Sequence, residues 1–139
     1  MAFVSANKTE NPLKDVDDGI YDATIISWLE VENQFYGQLF RPDQPEGDNN
    51  QRNPHQTQYE IGLRIVSDDG TEAEPRVWAN PTLGERAKLR KIVKAAGAWE
   101  VDEKGNEGFD DSEDNMVGRL MRVLVQDGRI DSGGFLAKK

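Results

Sequence analysis

An all-β fold, a small five-stranded barrel with one α-helix between its third and fourth strands, is what this 139-residue chain predicts. Three observations carry it. An alternating run at 19–31 is followed, after a long polar connection, by a hairpin-like pair at 59–66 and 73–79. One amphipathic helix comes next, at 82–96, and then a strong strand at 117–126. Two or three strands, one helix and then further strands is the order in which small barrels are assembled.

Residues 1–17 show no sustained period and read as a flexible N-terminal arm ahead of a domain at 18–139. Asp17-Asp18-Gly19 opens the first strand, where Tyr21, Ala23, Ile25, Ser27, Leu29 and Val31 form the expected core face. Asp22, Thr24, Ile26, Trp28 and Glu30 then fall on the other side. The long polar loop at 34–58 begins with Phe35, Tyr36 and Phe40 and becomes rich in amides and proline. Such a loop is either functional or disordered. With no hydrophobic anchor at 43–56, the disordered reading is at least as strong there.

Tyr59, Ile61, Leu63 and Ile65 alternate with polar partners, and Ser67-Asp68-Asp69-Gly70 supplies a hairpin turn. Pro75 lacks an N–H for the ladder, which places the return strand at an edge or delays its start. In the helix, Thr82 and Glu85 match a capping box, Leu83, Ala87, Leu89, Ile92, Val93 and Ala96 make the apolar stripe, and Gly97 ends it. An acidic loop at 100–115 leads to the last strong strand, where Gly118 is a candidate bulge. A short closing strand would involve Ile130 or Phe135.

Composition narrows the function classes. The absence of cysteine excludes disulfides and thiolate zinc sites and fits a reducing compartment. No apolar run approaches the roughly 18 residues of a membrane span, and the first residues lack the order of a signal peptide, so a cytoplasmic protein without membrane contact is the expectation. The net charge of −9 argues against a nucleic-acid partner only superficially. Residues 100–114 hold eight acids and one base, Lys104, and so carry seven of the nine net negative charges.

Catalysis finds little support. The single histidine, His55, lies between Pro54 and Gln56 in the polar loop and reads as a surface residue. The span 102–113 has the length of a calcium loop, but Lys104 at its third position and Glu107 at its sixth break the pattern. No metal site, cofactor or enzymatic activity is therefore expected, and metal-dependent hydrolysis is the weakest hypothesis. Binding is stronger, because stacked aromatics beside basic residues are the general device for single-stranded nucleic acid. Alternation predicts an outward set of Trp28, Arg64, Arg76 and Trp78, with further charge from Arg119 and Arg122. The opposing reading, that either tryptophan closes the core, stays open. Phe35 and Tyr36, with Phe40, either stack on bases or pin the loop. The basic helix residues Arg86, Lys88, Arg90, Lys91 and Lys94 are solvated, receive the acidic loop, or leave that loop to engage a basic partner.

These residues also carry a resemblance. Gly19-Ile20-Tyr21-Asp22-Ala23-Thr24-Ile25, the IGLRIVSDDG hairpin, the LRKIVKAAG helix end and Val117-Gly118-Arg119 leading into RVLV are similar to phage-encoded single-stranded-DNA-binding proteins of the oligonucleotide/oligosaccharide-binding (OB) fold. The resemblance spans about residues 18–130 and rests on strand patterns rather than chemical signatures. It implies an OB-like barrel that coats single-stranded DNA in replication or recombination, in the host cytoplasm if phage-encoded. Replication or recombination proteins would then be partners through the acidic loop. That family commonly ends in an acidic tail, whereas this chain ends Phe135-Leu136-Ala137-Lys138-Lys139 and keeps its acids internal. The sequence thus predicts sequence-independent single-stranded DNA binding. Its alternative is a non-enzymatic interaction module whose acidic loop engages a basic partner, and pairing of exposed edge strands would make a homo-oligomer.

Overall fold

The computed structural model describes residues 11–138, so most of the predicted arm at 1–17 lies outside the described residues. The part that is described belongs to the fold. Leu13 is buried in the core, and Asn11 Nδ2 donates to the Gly128 carbonyl at 2.7 Å.

Eight strands and two short helices follow in the order β1 (Gly19–Glu32), β2 (Thr57–Val66), β3 (Glu72–Ala73), β4 (Arg76–Ala79), α1 (Lys88–Ala95), β5 (Glu100–Val101), β6 (Glu107–Gly108), α2 (Glu113–Met116), β7 (Leu120–Gln126) and β8 (Arg129–Leu136). The main sheet is antiparallel, with β1 at its centre between β2 and β7, β8 beyond β7, and both β3 and β4 on the far edge of β2. The protein is all-β in character, as its sequence predicts. The barrel, however, is not closed. Among the described residues β4 pairs only with β2 and β8 only with β7, so the sheet is a curled half-barrel. Helix α1 packs against β8 and sends Leu89, Ile92 and Val93 into the core.

A bulge in β1 corrects the predicted alternation. Ile25 faces Leu63, yet Ser27 faces Gly62 and Trp28 faces Ile61, so Ile26 is one residue more than β2 can match. An inserted residue reverses every later side chain. Ala23 and Ile25 therefore point inward, and beyond the bulge it is Trp28 that is buried while Leu29 is exposed. The bulge needs a glycine opposite it. Ser27 Oγ accepts from the Gly62 N–H at 3.0 Å, and a Cβ on Gly62 would collide with that oxygen.

Elsewhere the outcome is mixed. Tyr59, Ile61, Leu63 and Ile65 are buried as predicted, and Pro75 does interrupt the return strand, splitting it into β3 and β4. The helix begins five residues later than the Thr82–Glu85 capping pattern implies, with Ala87 as its N-cap and no side-chain cap. Residues 84–87 form a turn, closed by the Ala87 N–H to the Gly84 carbonyl, because glycine is a poor helix interior and the continuous apolar stripe starts only at Leu89. The last strong strand starts at Leu120, after Ser112 caps the short α2 and the chain turns at Gly118. The closing strand is long. Asp127 and Gly128 both have positive φ (51° and 72°), the mark of a type I′ hairpin, and they launch all eight residues of β8. Among the described residues no helix is long and apolar enough to cross a membrane.

Candidate functional site

The polar loop is hydrogen-bonded throughout, contrary to the disordered reading of 43–56. Its anchors are asparagines rather than apolar side chains, and Asn33, Asn50 and Asn53 are all buried. Asn33 Nδ2 donates to the His55 carbonyl at 3.0 Å, while its Oδ1 accepts from the Phe35 N–H. Asn50 Oδ1 accepts from the Arg41 N–H at 2.9 Å, and its Nδ2 donates to the carbonyls of Arg41, Gln44 and Pro45. Backbone bonds from Gly37 to Asn53 and from Phe40 to Gln51 hold the two arms together. Each buried amide satisfies loop backbone that would otherwise be orphaned. His55 serves this scaffold through its main chain, its N–H bonding Asn53 Oδ1.

This loop stands beside β4, and between them lies a groove of about 580 Å³ lined by Phe35, Phe40, Trp78, Asn53, Gln58 and Lys88, among others. Its three aromatics are unusually open: Phe35 is 52%, Phe40 55% and Trp78 46% exposed. Rings of this size are normally buried, and three around one groove make a contiguous exposed aromatic surface. Amides supply donors and acceptors at its rim. The lining contains no carboxylate or imidazole. Its cation is Lys88, whose half-burial pushes the ammonium pKa below the usual lysine value. Lys88 makes no hydrogen bond or ion pair with any described residue.

The predicted site residues separate into three groups. Trp78 and Phe35 meet in the groove, and Arg76 shares the outward side of β4 with Trp78. Arg64 also points outward, but both arginines already hold carboxylates: Arg64 pairs with Glu74 at 3.1 Å and Arg76 with Glu60 at 2.7 Å. The second group is structural. Trp28 is 3% exposed, so its predicted outward placement is corrected and it offers no face to a base. It packs at 5.4 Å from Tyr59 and 5.8 Å from Phe109. Arg119 donates to the carbonyls of Ala96, Gly97 and Asn115 and to Asn115 Oδ1, which ties the negative end of α1 to β7. Arg122 likewise donates to the Ala137 carbonyl at 2.9 Å. Tyr36 stands apart, exposed, with its hydroxyl accepting from Gln56 Nε2.

Among the described residues no carboxylate of the acidic segment pairs with the basic helix face. Trp99 packs there, with the Arg90 guanidinium 4.7 Å and the Lys94 ammonium 5.3 Å from its ring centre. The acids instead form the β5–β6 hairpin and α2, clamped to the core by Phe109 and by the Tyr59 hydroxyl donating to Asp111 Oδ2 at 2.9 Å. Burial and that carboxylate together push the Tyr59 pKa well above its ordinary value. Asp102 satisfies its own turn, accepting from the N–H groups of Lys104 and Asn106, and these bonds hold its carboxyl below the usual range. Sequence reasoning missed Lys88 as a groove residue and left Phe40 between stacking on bases and pinning the loop, because neither periodicity nor composition shows that the loop folds back toward α1.

Comparison with known proteins adds no assignment: the chain matches no family model, no curated protein and no solved structure.

Proposed function

We propose that this protein binds single-stranded nucleic acid without sequence preference, with single-stranded DNA as the leading ligand. The observation that carries the reading is the groove in which Phe35, Phe40 and Trp78 present exposed rings amid amides. Every base has a π-face, so such a surface accepts any sequence. The strand order supports the same reading. A long bent β1 shared by β2 and β7, with a helix between β4 and β7, follows the plan of an OB barrel whose last seam is open. A role in phage or bacterial DNA replication or recombination, in the cytoplasm, belongs to this proposal. A second reading, engagement of a basic protein partner, is favoured by the rigid clamping of the acidic hairpin, which holds its carboxylates outward.

Tryptophan fluorescence distinguishes the two. Trp78 is the exposed indole, Trp28 is buried and Trp99 lies under two cations. A pyrimidine homopolymer should quench emission saturably, and Trp78→Phe should abolish most of that signal. Trp78→Ala should weaken binding by about 1–3 kcal/mol, roughly 5- to 150-fold. No quenching of the wild-type protein at low salt, together with no change in the anisotropy of a labelled oligonucleotide, would sink the proposal.

A further inference from the structure

A second groove, of about 920 Å³, lies in the open seam between β4 and β8. Arg76, Val77 and Trp78 form one wall, Arg129 and Ile130 the other, with Leu13 between. Only Trp78 and Lys88 line both grooves, so these two residues mark the place where the surfaces join. The charges differ in availability. Arg76 in the second groove is held by Glu60, as Arg52 and Arg64 outside both grooves are held by Glu46 and Glu74. The side chains of Lys88 and Arg129 hold no carboxylate and donate no hydrogen bond among the described residues. Lys88 is also the first residue of α1, whose opening turn has no side-chain cap and no acidic residue. Its free N–H groups therefore add to the positive potential there. Glu74 lines the second groove as well, but its charge is met by Arg64.

Resting on the nucleic-acid reading above, we infer that the strand does not cross the outer face of β1 and β2. It passes over Trp78 from the loop groove into the seam between β4 and β8, with Lys88 anchoring a phosphate at the crossing and Arg129 a second phosphate beyond it. A base stacked on Trp78 leaves its flanking phosphates to enter the two grooves that meet there, the first lined by Lys88 and the second by Lys88 and Arg129. Arg64 on the outer face would first have to surrender Glu74, which makes that route the poorer one for phosphate. The unclosed seam then has a use: it leaves room for a chain that a completed β4–β8 ladder would exclude.

The test is the salt dependence of anisotropy with a labelled thymidine homopolymer, for wild-type protein, Lys88→Gln, Arg129→Gln and Lys91→Gln. Lys91 is an exposed lysine on the same helix that lines neither groove. Each phosphate contact contributes about 0.7 to the slope of log K against log salt for a single strand. Lys88→Gln and Arg129→Gln should each weaken binding several-fold and lower that slope by about 0.7, whereas Lys91→Gln should alter neither. Lys88→Arg should keep the slope, and thermal melts identify any variant that fails to fold. Wild-type binding with unchanged slopes in both groove variants would overturn the seam path while leaving the nucleic-acid reading intact. An effect of Lys88→Gln without one of Arg129→Gln would overturn passage through the second groove. A wild-type protein that binds no oligonucleotide removes both.

Discussion

Trp28 shows how a single inserted residue changes the role of a side chain. Strict alternation from Tyr21 places it outward, and the extra residue Ile26 turns it into the core beside Tyr59 and Phe109. A bulge leaves little trace in a sequence, and Gly62, whose missing Cβ admits Ser27 Oγ, is its faint signal. The ring carries one cost, since Trp28 Nε1 is buried without a hydrogen-bond partner among the described residues. An orphaned donor of this kind costs about 1–3 kcal/mol. Trp28→Ala should therefore destabilise by about 3–5 kcal/mol through the cavity it leaves. Trp28→Phe, which removes the orphan and keeps an aromatic, should cost less than half as much. Urea unfolding measures both, and equal losses would refute the account. By contrast Trp78, predicted outward, is exposed on β4, because no bulge intervenes between Arg76 and Ala79.

At the level of elements, the hairpin strands were legible because period-two hydrophobicity and Asp-Gly turns are local signals. The turn at Asp127-Gly128 was equally local, and it would have announced β8. The helix start and the polar loop were not legible for a different reason. Thr82 and Glu85 have the right spacing, but a cap forms only if the following residues coil, and Gly84 stands between them. The loop at 34–58 looks unanchored because its anchors are polar and act only once their partners are in place. Asn50 is the best test. Asn50→Ala leaves the Arg41 amide and the Gln44 and Pro45 carbonyls without the side-chain partner, while the Arg41 carbonyl keeps the Gln44 N–H. It should lower the local opening free energy of residues 39–52 by about 1–3 kcal/mol while leaving the main sheet nearly as stable. Hydrogen exchange should show faster exchange at the Arg41 amide and unchanged protection at Ile61. Loss of protection in both would mean that the loop and sheet open as one unit.

Across the whole molecule, charge and aromatic packing are segregated. Most of the net negative charge sits on one segment, and Phe109 with Asp111 fixes that segment over the Trp28–Tyr59 end of the core. The groove and seam, with Lys88 and Arg129, are built from other elements. Phe109→Ala should release the acidic segment, so that amides at 100–114 exchange faster and free carboxylates weaken oligonucleotide binding at low salt. Because Debye screening shortens with ionic strength, that loss should shrink as salt rises. Unchanged exchange at 100–114 would show that Phe109 does not hold the segment. The sequence by itself determined the all-β character, the inward faces of β2 and β4 and the Gly97 helix stop, since each follows from spacing within a few neighbouring residues. Only the tertiary structure decided that the barrel stays open, that Trp28 belongs to the core, and that Phe35, Phe40, Trp78 and Lys88 share a groove. Those outcomes depend on register between strands and on a loop folding back across the sheet, and no local periodicity encodes a contact between residues so far apart in the chain.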